Sequence, residues 1–247
     1  MIKPARIQDV KHLMKGQKGW IVHEQSEFDH TMSQIPIEAG MLLMQEIVPG
    51  PESNIMLWCG FIDSTGEVLQ RFTARKLRQY PAGFGSASLV QSETCTETSE
   101  AAEGLLKRLG YQGIAAAEFK KDPVTHELKI IEINPRASLW FSISTAAGIP
   151  LIGTAVAEAT GTAMPAMIKQ IDGVRWRYGL KDVSSKIFYI RRPDFVLPAP
   201  DVNRSGRAKK RADVVWTWND PMPVVGELVS FILKGASRVG LSSKVKT

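Results

Sequence analysis

The segment Lys129–Arg136, KIIEINPR, sets three polar side chains on alternate positions of an apolar run. Because successive side chains of a β-strand point to opposite faces, Glu132, Asn134 and Arg136 share one face, and Ile131, Ile133 and Pro135 share the other. The apolar face is typical of a side turned towards a core. The other face carries a carboxylate, an amide and a guanidinium in a row, which indicates a chemical role.

A second acidic residue lies in the preceding segment, Ile114–Asp122, IAAAEFKKD. Glu118 precedes Glu132 by 14 residues, which suits an antiparallel hairpin with arms of about five residues. Two carboxylates opposite each other repel unless a cation lies between them, and carboxylates with the Asn134 oxygen are ligands that Mg²⁺ takes. The alternative is a surface hairpin whose polar face meets water. The alanines before Glu118 and the Pro135–Arg136 pair favour the metal.

Polar residues nearer the N-terminus fit a nucleotide. Lys3 ends a short apolar stretch, where a single ammonium can hold a phosphate. The segment Glu46–Val48 offers exposed backbone to an adenine edge, and Glu52 follows it where a ribose hydroxyl pair can bind. Each residue taken singly is equally well explained as facing solvent. Their order along the chain favours a nucleotide site.

A cluster of positive charge lies in the apolar stretch FTARKLRQYP. Arg75, Lys76 and Arg78 fall within four positions. A buried strand does not tolerate this much cationic charge without an anion as a partner. The cluster therefore predicts an anionic ligand or an anionic neighbour.

The order of the predicted elements indicates an α+β fold. Antiparallel hairpins are predicted at 54–80 and 114–136, with a single helix between them that carries Leu105, Leu106 and Leu109 on one face. Hairpins separated by single helices argue against a doubly wound parallel sheet. The pattern weakens after residue 164, so we predict one domain over 1–164 and a C-terminal appendage over 165–247.

The composition is that of an ordinary globular protein, with 44% hydrophobic and 23% charged residues among 247. No apolar run approaches the roughly 18 residues that a membrane helix needs. The first residues lack the apolar segment of a signal peptide. Cys59 and Cys95 have no metal-ligand spacing and suggest no disulfide framework, so we predict a location in the reducing cytoplasm and no membrane span.

The formal net charge is +6, and part of this excess is concentrated in Asn203–Arg211, NRSGRAKKR. Such a run can bind nucleic acid or an anionic surface, but most basic loops are simply solvated. No aromatic-interleaved or helix-turn-helix pattern accompanies it. Nucleic-acid binding is therefore not expected.

Taken in order, the motifs IKPA, MQEIVPGPES, FTARKLRQYPAGFG, GYQGIAAAEFKKDP and KIIEINPRAS resemble the ATP-grasp superfamily. Within it, the chain is most similar to the predicted carboxylate–amine ligases related to D-aspartate ligase, and to the ATP-binding domains of carbamoyl-phosphate synthetase. The resemblance covers about residues 1–161. It implies the ATP-grasp fold, in which antiparallel sheets are flanked by helices.

The resemblance also implies the residues that bind the nucleotide. Lys3 matches a lysine that contacts the phosphates, and Glu52 matches a ribose-binding glutamate. The residues that match the adenine-binding hinge are Gln45, Glu46, Ile47 and Val48.

The same comparison implies a metal and phosphate site. The matched magnesium ligands are Glu118, Glu132 and Asn134. Arg136 matches the arginine near the transferred phosphate. Arg75 and Lys76 fall where this subgroup carries cations that face the active site.

The implied reaction has two steps. A substrate carboxylate attacks the γ-phosphate of ATP to give an acyl phosphate and ADP, and an amine, or a thiol, then displaces phosphate. The first step requires alignment of two anions and neutralisation of charge on the phosphate. The implied cofactors are ATP and Mg²⁺, with Mn²⁺ as an alternative metal, and the implied partners are a small-molecule carboxylate and an amine.

Members of this superfamily carry a preceding substrate-binding domain and the first part of the nucleotide-binding lobe, so we expect an N-terminally truncated chain. A homo-oligomer or a partner that supplies the missing lobe is consistent with that expectation. Two alternatives to the ligase stay open. One is a non-catalytic or partner-dependent fragment that binds nucleotide or metal, and the other is an interaction module that uses the basic C-terminal segment with Trp216 and Trp218.

Overall fold

The computed structural model describes residues 1–6, 10, 12, 19–166, 168–216 and 219–243, with side chains described as far as residue 233. The chain divides into two compact units, Met1–Pro49 and Gly50–Thr247. Trp218, which we predicted to belong to an interaction surface, lies outside the described residues. Trp216 is 42% exposed.

The unit Met1–Pro49 is built around a small antiparallel sheet. Its elements are β1 (Ile2–Pro4), α1 (Gln25–Gln34) and β2 (Leu42–Met44). In the pairing of β1 with β2, Lys3 lies opposite Leu43, and Ile2 makes a further bridge to Trp20. Ile2 is almost fully buried, so it anchors this sheet.

The unit Gly50–Thr247 contains a seven-stranded sheet in the order β7-β6-β3-β4-β5-β8-β9. Its strands are β3 (Ile55–Ile62), β4 (Val68–Tyr80), β5 (Ser86–Ser92), β6 (Gly113–Lys121), β7 (Leu128–Asn134), β8 (Val174–Arg177) and β9 (Lys210–Asp213). All neighbours pair antiparallel except β8 and β9, which are parallel. The two predicted hairpins are present as β3–β4 and β6–β7.

Helices lie between the strands of this unit and after the last of them. They are α2 (Thr96–Arg108), α3 (Ser142–Ala146), α4 (Leu151–Thr160), α5 (Gly179–Arg191) and α6 (Met222–Ser243). The combination of an antiparallel sheet with flanking helices confirms the predicted α+β class. Among the described helices, none combines the length and the apolar character required to cross a bilayer.

Apolar side chains pack on both faces of the large sheet. One face, here called the Trp176 face, buries a cluster that includes Leu57, Ala116, Val90, Trp176, Ile143 and Leu151. The other, the Trp58 face, buries a cluster that includes Trp58, Ala115, Ala117, Phe119, Ala102 and Leu106. The adjacent residues Leu57 and Trp58 fall in different clusters because side chains alternate along a strand.

The structure differs from the domain boundary that we predicted between residues 164 and 165. The division between compact units falls after Pro49, and β8, from the predicted appendage, pairs with β5 in the large sheet. Trp176 of β8 lies opposite Val90 and is 1% exposed. A four-residue strand carries little sequence signal of its own, but its tryptophan makes it part of the core.

Candidate functional site

The polar face of KIIEINPR lies beside an acidic residue of the neighbouring strand. In the antiparallel pairing of β6 with β7, Glu118 lies directly opposite Glu132, as predicted. Asn134 lies opposite Ala116, and its Nδ2 donates a hydrogen bond of 2.9 Å to Oε1 of Glu132. Glu118 is buried and Glu132 is exposed, so the pair spans the boundary between the core and solvent.

A β-bulge fixes this register. Phe119 lies opposite Ile130 while Glu118 lies opposite Glu132, so β7 contains one more residue than β6 at this point, Ile131. The extra residue lets Glu132 and Asn134 share the Trp176 face with Glu118. It also places Ile133 opposite Ala117, against the Trp58 cluster.

Glu118 has a buried cationic partner. Nζ of Lys76 makes an ion pair with Oε2 of Glu118 across the intervening strand β3, and the two side chains are 2% and 10% exposed. The same Nζ lies 3.4 Å from Oε1 of Gln79. Lys76 therefore provides the positive charge that two facing carboxylates require.

Lys120 is a site residue that the sequence analysis missed. It lies two residues after Glu118, so it shares the Trp176 face, and it lies opposite Ile55, which separates it from Lys76. Its Nζ donates a hydrogen bond of 2.7 Å to the carbonyl oxygen of Gly50. Burial lowers the pKa of Lys120 to about 8, although Glu52 and Asp122 act to raise it. The sequence did contain a signal for Lys120, because a residue two positions after Glu118 in a strand lies on the same face as Glu118.

The lowered pKa of Lys120 predicts a rise in stability at alkaline pH. Between about 8 and the ordinary lysine value of 10.5, the unfolded chain binds a proton at this residue that the folded chain has lost. Raising the pH over this interval therefore favours the folded state. We expect the free energy of unfolding, measured by urea denaturation, to have a more positive slope against pH in the wild-type chain than in Lys120→Met over this interval.

The matched control is Lys107→Met, which removes an exposed lysine of α2. This variant should keep the slope of the wild-type chain. Equal slopes in Lys120→Met and Lys107→Met would show that Lys120 titrates as an ordinary surface lysine.

The oxygen donors of this hairpin suit a hard divalent cation. Glu118 and Glu132 supply carboxylates and Asn134 an amide oxygen, which are the ligand types that Mg²⁺ and Mn²⁺ take. Within the described ranges, no group of three or more His, Cys, Asp or Glu side chains is placed to hold a metal. Glu118 and Glu132 with the amide of Asn134 do not make such a group, because they include only two carboxylates.

Arg136 lies just beyond the end of β7 and is exposed. Its Nη1 donates a hydrogen bond of 3.1 Å to the carbonyl oxygen of Ala137. Because that acceptor is neutral, the guanidinium keeps its charge available to an anion.

The structure does not bring Arg75 to the carboxylates. Arg75 is adjacent to Lys76 in β4 and therefore points to the opposite face, in register with Met56 and Phe119. Its guanidinium is bound by Glu93, at 2.9 and 2.5 Å, and by the carbonyl oxygen of Ser53. The predicted active-site position is thus corrected to a structural ion pair on the Trp58 face.

Glu52 is also placed otherwise than predicted. It is fully buried, and its carboxylate accepts hydrogen bonds from the backbone of Gln79 and Gly83 and from the hydroxyl of Tyr189 at 2.7 Å. Burial raises its pKa, against the lowering effect of these donors. A carboxylate enclosed by three internal donors is not available to a ribose. Glu52 instead links β4, the loop that follows β4 and helix α5.

Five of the predicted nucleotide contacts lie in the unit Met1–Pro49. Nζ of Lys3 donates a hydrogen bond of 2.5 Å to Oε1 of Gln45. The backbone of Gln45 also bonds Met1 in both directions, at 2.9 Å. The rest of the hinge follows β2 outside regular secondary structure, with Glu46 exposed, Ile47 half-buried and Val48 buried. The predicted phosphate lysine and the start of the predicted adenine hinge are therefore neighbours.

The described hairpin thus sets two carboxylates opposite each other, with a buried lysine beside one of them. A sequence model of the family described as ATP-grasp in the biosynthetic pathway with Ter operon matches residues 38–181. The match covers more than half of the chain, which therefore belongs to this ATP-grasp family. The membership predicted from the motifs is confirmed.

Individual relatives are more distant. The D-aspartate ligase of Enterococcus faecium (strain Aus0004) is 26% identical over 142 residues, which cover 55% of this chain and 34% of the ligase. The chain thus spans about a third of the length of that curated relative.

Solved structures give similar partial matches. The N5-carboxyaminoimidazole ribonucleotide synthetase from Thermus thermophilus matches with a TM-score of 0.47 and 18% identity, over 67% of this chain and 48% of that one. The biotin carboxylase–β-γ-ATP complex from Campylobacter jejuni matches with a TM-score of 0.43 and 19% identity, over 61% of this chain and 34% of that one.

Proposed function

We propose that this chain carries the metal and phosphate site of an ATP-dependent ligase that joins a small-molecule carboxylate to an amine, or to a thiol, through an acyl phosphate. The observation that supports this most strongly is the placement of Glu118 opposite Glu132, with Asn134 hydrogen-bonded to Glu132, in a chain of the ATP-grasp family. The similarity to a D-aspartate ligase supports the carboxylate–amine class.

The hairpin residues would hold the metal. Glu118, Glu132 and Asn134 would bind Mg²⁺ or Mn²⁺, which when bound supplies positive charge that offsets the phosphate charge of ATP. Lys76 forms an ion pair with the buried carboxylate of Glu118 and so orients it for that role. The exposed guanidinium of Arg136 would bind the transferred phosphate, because its planar fork matches a phosphate in bidentate fashion.

The nucleotide would be held by the unit Met1–Pro49. Lys3 is proposed to contact the phosphates, with its ammonium positioned by Gln45. The backbone of Glu46, Ile47 and Val48 is proposed to receive the adenine edge. Glu52 takes no part in this proposal. We also propose a cytoplasmic location, since Cys59 and Cys95 are free thiols.

The test is Mg²⁺-dependent ATP binding by calorimetry, with the full chain and the variant Glu132→Ala/Asn134→Ala. We expect micromolar-range binding that needs magnesium. The double substitution should weaken it by about a hundredfold or more, since loss of residues that merely support metal ligands already costs about 10 to 100-fold. Formation of ADP in the presence of candidate carboxylates then identifies the substrate.

The control variant is Glu158→Ala, which removes an exposed carboxylate of α4 and should bind ATP as the wild-type chain does. Magnesium-dependent binding that survives in the double variant would place the metal elsewhere. A wild-type chain that is folded but binds no ATP would rule out an autonomous ligase site.

One observation favours a second candidate, a nucleotide-binding unit that works with a partner chain or a second copy of itself. The unit Met1–Pro49 exposes several apolar side chains, with Ile37 at 91%, Met41 at 76% and Met44 at 74%. Exposed apolar groups mark an interaction site where they form one contiguous patch. Light scattering of the purified chain would distinguish this candidate, because it predicts self-association or ATP binding that appears only with a partner.

A further inference from the structure

A second polar group of side chains lies on the Trp58 face of the large sheet, at the end remote in strand order from β7. Because Trp176 points to the other face, its neighbours Arg175 and Arg177 point to this one. They line a cavity of about 220 Å³ with Arg78, Asp182 and Asp213. A second cavity of about 380 Å³ shares Arg175 and Arg211 with the first and adds Arg207.

The strand register sets two of these arginines side by side. In the parallel pairing of β8 with β9, Arg175 lies opposite Arg211, and the next pair on the same face is Arg177 with Asp213. Like charges directly opposite each other destabilise a sheet. Arg177 is compensated by Asp213 at 3.7 Å, whereas no acid among the described residues lies between Arg175 and Arg211 in this register.

The hydrogen bonds of Arg175 orient its guanidinium but do not neutralise it. They run to Oε1 of Gln91 at 2.8 Å and to the carbonyl oxygens of Val202 at 3.0 Å and Gly206 at 3.2 Å. Burial, followed by the charges of Arg211 and Arg78, lowers the pKa of Arg175, although Asp182 acts to raise it. An anion in the cavity would relieve both effects.

The other acid of the cavity is already engaged. Asp182 of α5 binds Arg78 in bidentate fashion, with N–O distances of 2.7 and 2.9 Å. The two cavities together are lined by five arginines and two aspartates, which leaves three positive charges in excess.

The basic side chains of the loop Asn203–Arg211 point to different parts of the structure. Arg204 donates to Oδ1 of Asn54 at 2.6 Å, and Lys210 to the carbonyl oxygen of Ala146 at 3.2 Å. Arg207 and Arg211 line the cavities instead. The loop therefore offers no continuous basic ridge of the kind that tracks a nucleic-acid backbone, and it favours a small anion.

We propose that the cavity formed by Arg175, Arg207 and Arg211 binds a small phosphate-bearing anion, at a site on the opposite face of the sheet from Glu118 and Glu132. Guanidinium forks bind phosphate oxygens in pairs. The two side chains of the Arg175–Arg211 pair can share one phosphate, which replaces the missing acid between them. The phosphate is either free or a group on a small metabolite, and the guanidinium groups would bind its oxygens in the same way in both cases.

The proposal is tested by calorimetric titration of the full chain with sodium phosphate, against sodium chloride at equal ionic strength. We expect saturable binding of phosphate, weakened by about tenfold or more in Arg211→Gln, because one charge-assisted contact is lost. Arg207→Gln should weaken it in the same direction. The control Arg108→Gln makes the same charge change on an exposed residue of α2 and should bind phosphate normally.

Two further arms complete the test. In the Arg136→Gln background, which lacks the phosphate contact of the proposed ATP site, phosphate binding that depends on Arg211 should persist, and this separates the two sites. A sugar phosphate that binds more tightly than inorganic phosphate, with the same dependence on Arg211, identifies a metabolite as the ligand, and the reverse order identifies free phosphate. Equal binding by Arg211→Gln and Arg108→Gln would overturn the proposal, as would binding of an RNA oligonucleotide but of neither small phosphate.

Discussion

Replacing Lys76 by methionine should lower the free energy of unfolding by about 3–5 kcal/mol, the cost of breaking a buried ion pair from one side. Glu118, whose side chain is 10% exposed, would then carry an uncompensated charge beside Glu132. Methionine keeps most of the volume and the unbranched shape of lysine, so the loss reports the charge and not a cavity. Urea denaturation at neutral pH, followed by tryptophan fluorescence, measures it.

An exposed ion pair of the same chemistry is the control. Nζ of Lys121 lies 2.6 Å from Oε2 of Glu97, with side chains 34% and 52% exposed. Lys121→Met should therefore cost less than about 1 kcal/mol. The double variant Lys76→Met/Glu118→Leu, which removes both buried charges, should recover most of the loss. If Lys76→Met costs no more than Lys121→Met, then the buried Lys76–Glu118 pair contributes no more to stability than an exposed pair does.

Leu106→Ala should lower the free energy of unfolding by about 2–5 kcal/mol, the usual range for a buried leucine. Leu106 is fully buried on α2, where it packs in the cluster with Trp58, Ala102 and Ala115. Its truncation leaves a cavity between the helix and the sheet that rigid strands cannot fill. Chemical denaturation with an unchanged dependence on urea concentration would confirm a loss of native packing.

Leu109→Ala is the matched control, because it removes the same atoms three residues later. Leu109 is 64% exposed, so its loss should change stability by no more than about 0.5 kcal/mol. A large effect at Leu109 together with a small one at Leu106 would mean that α2 presents a different face to the sheet.

The hairpin of the candidate site could be predicted from sequence because its geometry is local. The alternation in KIIEINPR fixes a polar face, and the 14-residue separation of Glu118 from Glu132 places them opposite each other in an antiparallel pair. Both features depend on neighbouring residues only. The helix before β6 was predicted for the same reason; Leu106 is buried there, whereas Leu109, which follows the last residue of α2, is 64% exposed.

The positions of Glu52 and Arg75 depend on distant partners. Glu52 is enclosed by Gly83 and Tyr189, which lie 31 and 137 residues further along the chain. The sequence near Glu52 contains no pattern that predicts these hydrogen-bond donors. Once Lys76 is known to contact Glu118, alternation along β4 places Arg75 on the opposite face. The sequence alone does not say which of these two adjacent cations faces the carboxylates. The strand β8 was not predicted, because its pairing partners β5 and β9 are distant from it in sequence.

The bulge at Ile131 determines where this hairpin can change in length. Two residues, Ile130 and Ile131, separate Lys129 from Glu132, while a single residue separates their partners Lys120 and Glu118. A related hairpin one residue shorter at this point would keep Glu132 opposite Glu118 and Ile130 opposite Phe119. The loss of Ile133 instead would turn Asn134 to the other face. Insertions and deletions in this strand are therefore expected to disturb the site more than substitutions do, because they change which side chains share a face with Glu118.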